Sequence, residues 1–199
     1  MAPGLNGQKV AFLVAQEGIE EAELTQPWKA VKQAGGAPEL VAPDSGEVQA
    51  MRHLDKSQRF SVDRTLEDAR PSDYAAVVLP GGVANPDQLR TDRRAIEFMR
   101  SAFDEGKPVG VICHGPWTLV EADLVRGRTI TSWPSLQTDI RNAGGTWVDE
   151  EVVSDGPLTS SRKPDDLPAF CKRIVAEFAR AAREPAGVSA NGGAAQRQT

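Results

Sequence analysis

Cysteine and histidine are scarce: the 199 residues contain two of each, Cys113 and Cys171, His53 and His114. Residues so few and so far apart do not make a structural zinc pattern, and no metal is expected. Residues 1–8 have neither a charged n-region nor an apolar h-region, so no secretory signal is read. The expectation is a cytoplasmic chain with two free thiols. No apolar run approaches the roughly 18 residues that span a bilayer, so a membrane is not expected as a partner. Basic residues are too few to outweigh acidic ones, 23 Lys and Arg against 28 Asp and Glu, for a net charge of −5. With no dense Lys/Arg run, nucleic acid is not an expected partner either. Nucleotide signatures are also missing. No G-x-G-x-x-G follows a strand, and Gly106-Lys107 runs into Pro108 instead of Ser or Thr, so no cofactor is implied.

The chain is 40% hydrophobic and 26% charged, the balance of a globular domain. One domain is read over residues 9–182, after a loose leader (1–8) and before a disordered tail (183–199) rich in Ala, Gly, Gln and Ser. Short apolar runs at 9–15, 39–42, 74–79 and 109–112 have the form of strands buried on both faces. Amphipathic spacing predicts helices at 20–34 (Leu24, Trp28, Val31), 92–105 (Ile96, Met99, Phe103) and 166–182, the last capped by Asp165 or Asp166. Shorter helices are expected at 117–122, where Pro116 suits a first turn, and near 135–143. The polar stretch 44–64 has room for a hairpin. Strands alternating with helices predict an α/β fold, a mostly parallel sheet covered on both sides.

The most informative stretch is Val109-Gly110-Val111-Ile112-Cys113-His114-Gly115-Pro116. A buried strand ends at a cysteine, and small or helix-starting residues follow, as in a nucleophile elbow. The partial positive charge of the following helix N-terminus favours thiolate. The thiol is therefore expected to ionise below its free value of ~8.5. A buried cysteine is also a common core residue, and it is the adjacent histidine that points to chemistry. Leu79-Pro80-Gly81-Gly82 ends another strand. Its glycine N–H groups could form an oxyanion hole with that of His114. Glu17, Glu20, Glu21 and Glu23 follow the first strand, and spacing does not choose among them. One that faced the thiol would have a raised pKa and could donate a hydrogen bond to sulfur. His53 reads as a surface residue and Cys171 as packing.

These segments, with Arg126-Gly127-Arg128, Asn142-Ala143-Gly144, the run from Trp147 to Val153 and Thr159-Ser160-Ser161-Arg162, closely resemble the PfpI (intracellular protease I) family. The resemblance covers about residues 9–180. It implies a flavodoxin-like three-layer α/β/α sandwich of the class I glutamine amidotransferase-like superfamily. It implies Cys113 as nucleophile and His114 as its base. The family's Glu-acid-x-Glu-Leu pattern falls on Glu20-Glu21-Ala22-Glu23-Leu24, which implies Glu20 as the carboxyl on the thiol, with Glu17 the other candidate. It also implies Asp87 as an acid reaching His114 from a second subunit, and hence a homodimer or higher homo-oligomer. No histidine follows His114, so the glutaminase triad cannot form.

The resemblance implies a stress-related hydrolase, an intracellular peptidase or a glyoxalase/deglycase. Its partners would be small carbonyl compounds, glycated proteins or peptides. A non-catalytic redox sensor or holdase chaperone would use the same oxidisable thiol. His114 and the Gly81-Gly82 turn favour the enzyme, because sensing needs neither.

Overall fold

The computed structural model describes residues 4–183. In chain order the strands and helices are β1 (Lys9–Leu13), β2 (Glu17–Glu20), α1 (Glu21–Gln33), β3 (Ala37–Ala42), β4 (Glu47–Arg52), β5 (Asp55–Ser61), β6 (Arg64–Thr65), β7 (Ala76–Leu79), α2 (Ala84–Leu89), α3 (Arg93–Asp104), β8 (Val109–Ile112), α4 (Pro116–Glu121), β9 (Thr129–Ile130), α5 (Gln137–Asn142), β10 (Thr146–Trp147), β11 (Val152–Asp155), β12 (Leu158–Ser161) and α6 (Leu167–Ala181).

Seven strands form the central sheet in the order β11-β12-β8-β7-β1-β3-β6. All pairs in it are parallel except β11 with β12 at the edge. The long strands follow the flavodoxin-like order, with β3 on one side of β1 and β7 on the other. That reversal leaves a crevice at the strands' C-terminal ends, where such sheets bind ligands.

The alternation along β1 shows why the sheet is covered on both faces. Val10 and Phe12 pack with Leu24 and Val31 of α1 and with Phe170, Ile174 and Phe178 of α6. Ala11 and Leu13 pack with Phe98 and Met99 of α3, Leu119 of α4 and Ile140 of α5. This confirms the three-layer α/β/α sandwich with a mostly parallel sheet. Asp92 caps α3 by accepting the Arg94 N–H at 2.8 Å.

The polar stretch 44–64 folds as the β4–β5 hairpin, and β4 also pairs with β2. The sequence pattern did not reveal β2 or α2, each too short to show a period. The expected cap on α6 is not made. Asp166 makes no side-chain bond to the helix end, because both its oxygens accept from Arg162 at 2.8 and 3.0 Å.

The leader is not loose where it is described. Leu5 is 1% exposed, its N–H donates to Ala34 O, and Gly7 N–H donates to Gly35 O, both at 2.7 Å. Residues 1–3, and the expected tail apart from Arg183, lie outside the described residues. Truncating Leu5 to Ala should destabilise the domain by about 2–5 kcal/mol, the usual range for a buried leucine, read by urea unfolding. A loss under roughly 0.5 kcal/mol, the scale of a surface substitution, would mean that the segment is peripheral after all.

Candidate active site

Every residue of β8 is buried, and the chain leaves it at Cys113 with φ 61°. Non-glycine residues avoid this left-handed region unless their surroundings enforce it. Here the backbone is pinned on both sides. Cys113 N–H donates to Ser161 O at 3.1 Å, and Cys113 O accepts from Trp133 N–H at 2.9 Å. The turn lifts the sulfur to the end of the sheet, the elbow expected from the sequence.

His114 turns its Nδ1 to 3.1 Å from Cys113 Sγ. Its other nitrogen, Nε2, lies 3.4 Å from Ser135 Oγ. The imidazole sits between Trp117 (5.2 Å, tilted) and Trp133 (5.7 Å, interplanar angle 24°). Burial pushes its pKa down to about 4, so His114 is neutral near pH 7 and holds a lone pair for a proton.

The carboxyl beside the thiol is Glu23, not Glu20. Glu23 is 0% exposed. Its Oε2 accepts the Gly81 N–H at 2.8 Å, and it acts directly on Cys113. The reason lies in where α1 begins. Glu20 is the residue before the helix and still extended, and its Oε2 turns back to accept His53 N–H at 2.9 Å. Glu23 shares the inward stripe with Leu24, Pro27 and Val31. Counting back four from Val31 and again from Pro27 reaches Glu23, the signal the sequence did contain. Glu17 is exposed at the far end of β2.

Burial pushes Glu23 up to about 8. The Cys113 thiol is also pushed up, by burial first and then by the charge of Glu23, against N–H groups of Gly82 and His114 that favour thiolate. The expected value below that of a free thiol is therefore not what this surrounding produces. The expected oxyanion hole loses one member as well. Gly81 N–H is taken by Glu23, which leaves those of Gly82 and His114 facing the sulfur.

Two glycines make this proximity possible. A Cβ on Gly81 would lie 2.5 Å from Glu23 Oε2 and 2.7 Å from Cys113 Cβ, and one on Gly82, at φ 81°, would strike Gly18 O. Buried Asn85 locks the turn. Its Oδ1 accepts Ala15 N–H at 2.7 Å, and its Nδ2 donates to Pro80 O and Gly81 O at 3.0 and 3.1 Å. Neither Asn85 nor Ser135 carries a sequence signal, because their partners are distant along the chain.

Asp87 pairs with Arg90 at 2.8 Å and is not brought to His114 within this chain. Arg90 lies over the Trp117 ring at 5.0 Å, so only that indole connects the two. Cys171 is half-buried on α6, away from the crevice, and burial pushes its thiol up to about 11. His53 is exposed as expected, yet it borders the site. The cleft above Cys113 has a volume of about 220 Å³ and is walled by Glu20, His53, Leu54, Val83, Trp133 and Pro164. Leu54 (90%), Val83 (56%) and Trp133 (39%) are the large hydrophobic side chains left exposed among the described residues, and all three rim this mouth. No group of three or more His, Cys, Asp or Glu among the described residues could hold a metal ion.

The raised Glu23 pKa sets a direction for stability. Folded Glu23 keeps its proton to about pH 8, whereas an unfolded carboxyl releases it near 4.5. The folded state binds more protons in that window, so stability is full below 4.5 and is lost as pH rises through 8. His114 acts oppositely between about 4 and 6.5, which leaves Glu23 unopposed from 6.5 to 8. Glu23→Gln should flatten the fall in stability over pH 6.5–8 in urea unfolding. An unchanged slope would show that Glu23 ionises freely in the folded protein.

Comparison with known proteins agrees with this geometry. The DJ-1/PfpI family profile matches residues 8–177. Deglycase PH1704 of Pyrococcus horikoshii is 41% identical over 167 residues, covering 84% of this chain and 97% of that one. Protein/nucleic acid deglycase 2 of Escherichia coli is 38% identical over 169 residues, covering 84% and 96%. Among solved structures, a two-domain Anabaena variabilis protein with DJ-1/ThiJ/PfpI-like and ferritin-like domains superposes with a TM-score of 0.79 at 34% identity. The match covers 86% of this chain and half of that larger one. By sequence, fold and the elbow at its centre, the chain belongs to the DJ-1/PfpI family.

Proposed function

We propose that this protein is a cysteine-dependent enzyme acting on α-oxoaldehydes and their adducts on proteins, with Cys113 as the nucleophile. The observation that carries the reading is the 3.1 Å approach of His114 Nδ1 to a sulfur held on a strained elbow. Two relatives bearing deglycase names support the substrate class. The cleft, at about 220 Å³, suits a small carbonyl compound or one modified side chain better than an extended peptide, which needs a groove.

The proton inventory suggests how the thiolate arises. A Cys113–His114 ion pair is disfavoured, because burial lowers the His114 pKa to about 4. Once Glu23 has lost its own proton, which burial holds to about pH 8, moving the thiol proton to it leaves the net charge of the site unchanged, since one buried negative charge passes from carboxylate to sulfur. The N–H groups of Gly82 and His114 hold it there. The thiolate then adds to the aldehyde carbon, and a nearby N–H group steadies the oxygen as charge develops. Neutral His114 takes a proton from the adduct carbon and returns it to the neighbouring carbonyl carbon, and the oxygen on that carbon, left as an alkoxide, takes the proton that Glu23 received from the thiol. Water cleaves the resulting thioester, so an α-oxoaldehyde and water become a 2-hydroxy acid. Any action of Asp87 on His114 requires a second copy of the chain.

Methylglyoxal consumption, followed with lactate formation, tests the reading. Cys113→Ser should abolish turnover, and His114→Ala should lower kcat by about 10²–10⁴, the range for a lost general acid–base. Full activity in His114→Ala would remove the role assigned to it, and activity in Cys113→Ser would remove the mechanism.

A further inference from the structure

Glu20 does not serve the thiol, yet it stands in the cleft wall. Its Oε2 accepts the His53 N–H at the tip of the β4–β5 hairpin, and it is close enough to Glu23 to raise that carboxyl's pKa. Glu23 contributes a second oxygen, Oε1, that is fully buried with no hydrogen-bond partner. No lysine or arginine lines the cleft above Cys113. Arg52 in the adjoining recess bonds Glu21 through two contacts of 3.2 and 3.0 Å and reaches Glu20 only as a charge, without a hydrogen bond or ion pair to it. The remaining wall is apolar, and the exposed Trp133 indole stacks on His114. Indole faces attract cations as well. A carboxylate without a fixed cationic partner, an apolar wall and an aromatic face together match an ammonium or guanidinium carried on an apolar stem.

We infer that Glu20 is a specificity-determining residue that makes the Cys113 cleft select carbonyl compounds borne on cationic groups over anionic ones. The inference builds on the proposed cysteine chemistry at the same cleft, but its test does not need turnover.

Charged methanethiosulfonates read the field at the sulfur directly. Each transfers its alkylthio group to Cys113, forming a mixed disulfide and releasing methanesulfinate. In a Cys171→Ser background, rates are measured for the trimethylammonioethyl and sulfonatoethyl reagents. Each is divided by the same rate for a free thiol. The cation-to-anion ratio should exceed unity in the otherwise unaltered protein. It should fall about tenfold in Glu20→Gln, as expected for one charge acting across a partly solvated cleft. Glutamine keeps an oxygen for the His53 N–H, so the hairpin retains its anchor, and thermal unfolding checks the fold. Glu17→Gln, at the far end of β2, should leave the ratio in place.

A ratio unchanged within about twofold in Glu20→Gln, or an equal fall in Glu17→Gln, would overturn the inference. Methylglyoxal turnover by the unsubstituted protein separates the two claims. A charge ratio that responds to Glu20 without turnover sinks the proposed reaction alone, and turnover without a charge preference sinks this inference alone.

Discussion

A carboxyl and a thiol face each other at the end of a buried sheet, and the surroundings allow at most one negative charge between them. Glu23 is fully enclosed, and burial holds its proton to about pH 8. Cys113 is nearly enclosed, and its ionisation is opposed by the same burial and by Glu23 itself. Two groups coupled in this way lose their protons as a pair, not as independent residues. Where the single charge resides then depends on fixed dipoles. Glu23 accepts the N–H of Gly81, that of His114 favours the thiolate, and that of Gly82 favours the charged form of both.

The rest of the structure serves to hold that pair together. Strand β1 leads through β2 to the start of α1 and so supplies Glu23; β7 supplies the glycine turn and β8 supplies Cys113. These three strands are neighbours in the sheet, so residues about 60 and 90 positions apart meet at one crevice. Asn85 ties the glycine turn to the residues that follow β1. Ser161 and Trp133 hold the cysteine backbone in a conformation it would not adopt alone. The two indoles around His114 help to bury the imidazole, and that burial keeps it neutral.

The layers and the cysteine elbow were legible in the sequence because both depend on local pattern. Alternating short apolar runs and amphipathic stretches specify a covered parallel sheet, and a buried strand ending at Cys-His-Gly-Pro specifies an elbow. The side chains that face Cys113 depend on where a helix begins to the residue. The family pattern holds two glutamates three positions apart, Glu20 and Glu23, and which one faces the thiol is decided by their lying on opposite sides of the boundary between strand and helix. The direction of the thiol pKa was misjudged for a related reason. Helix dipole and N–H groups can be inferred from a motif, but enclosure by side chains distant in the chain cannot. Asn85, Ser135 and the hairpin tip enter through long-range packing, and His53 borders the cleft only because β4 pairs with β2.

The pH profile of Cys113 alkylation by iodoacetamide, in a Cys171→Ser background with and without Glu23→Gln, tests the shared charge most directly. The account predicts two steps for the unsubstituted pair: partial reactivity once the first proton is lost, then a second rise as the last one leaves. Glu23→Gln should collapse these to a single step. A single step of unchanged midpoint in both proteins would mean that the carboxyl and the thiol ionise independently, and the central coupling would be wrong.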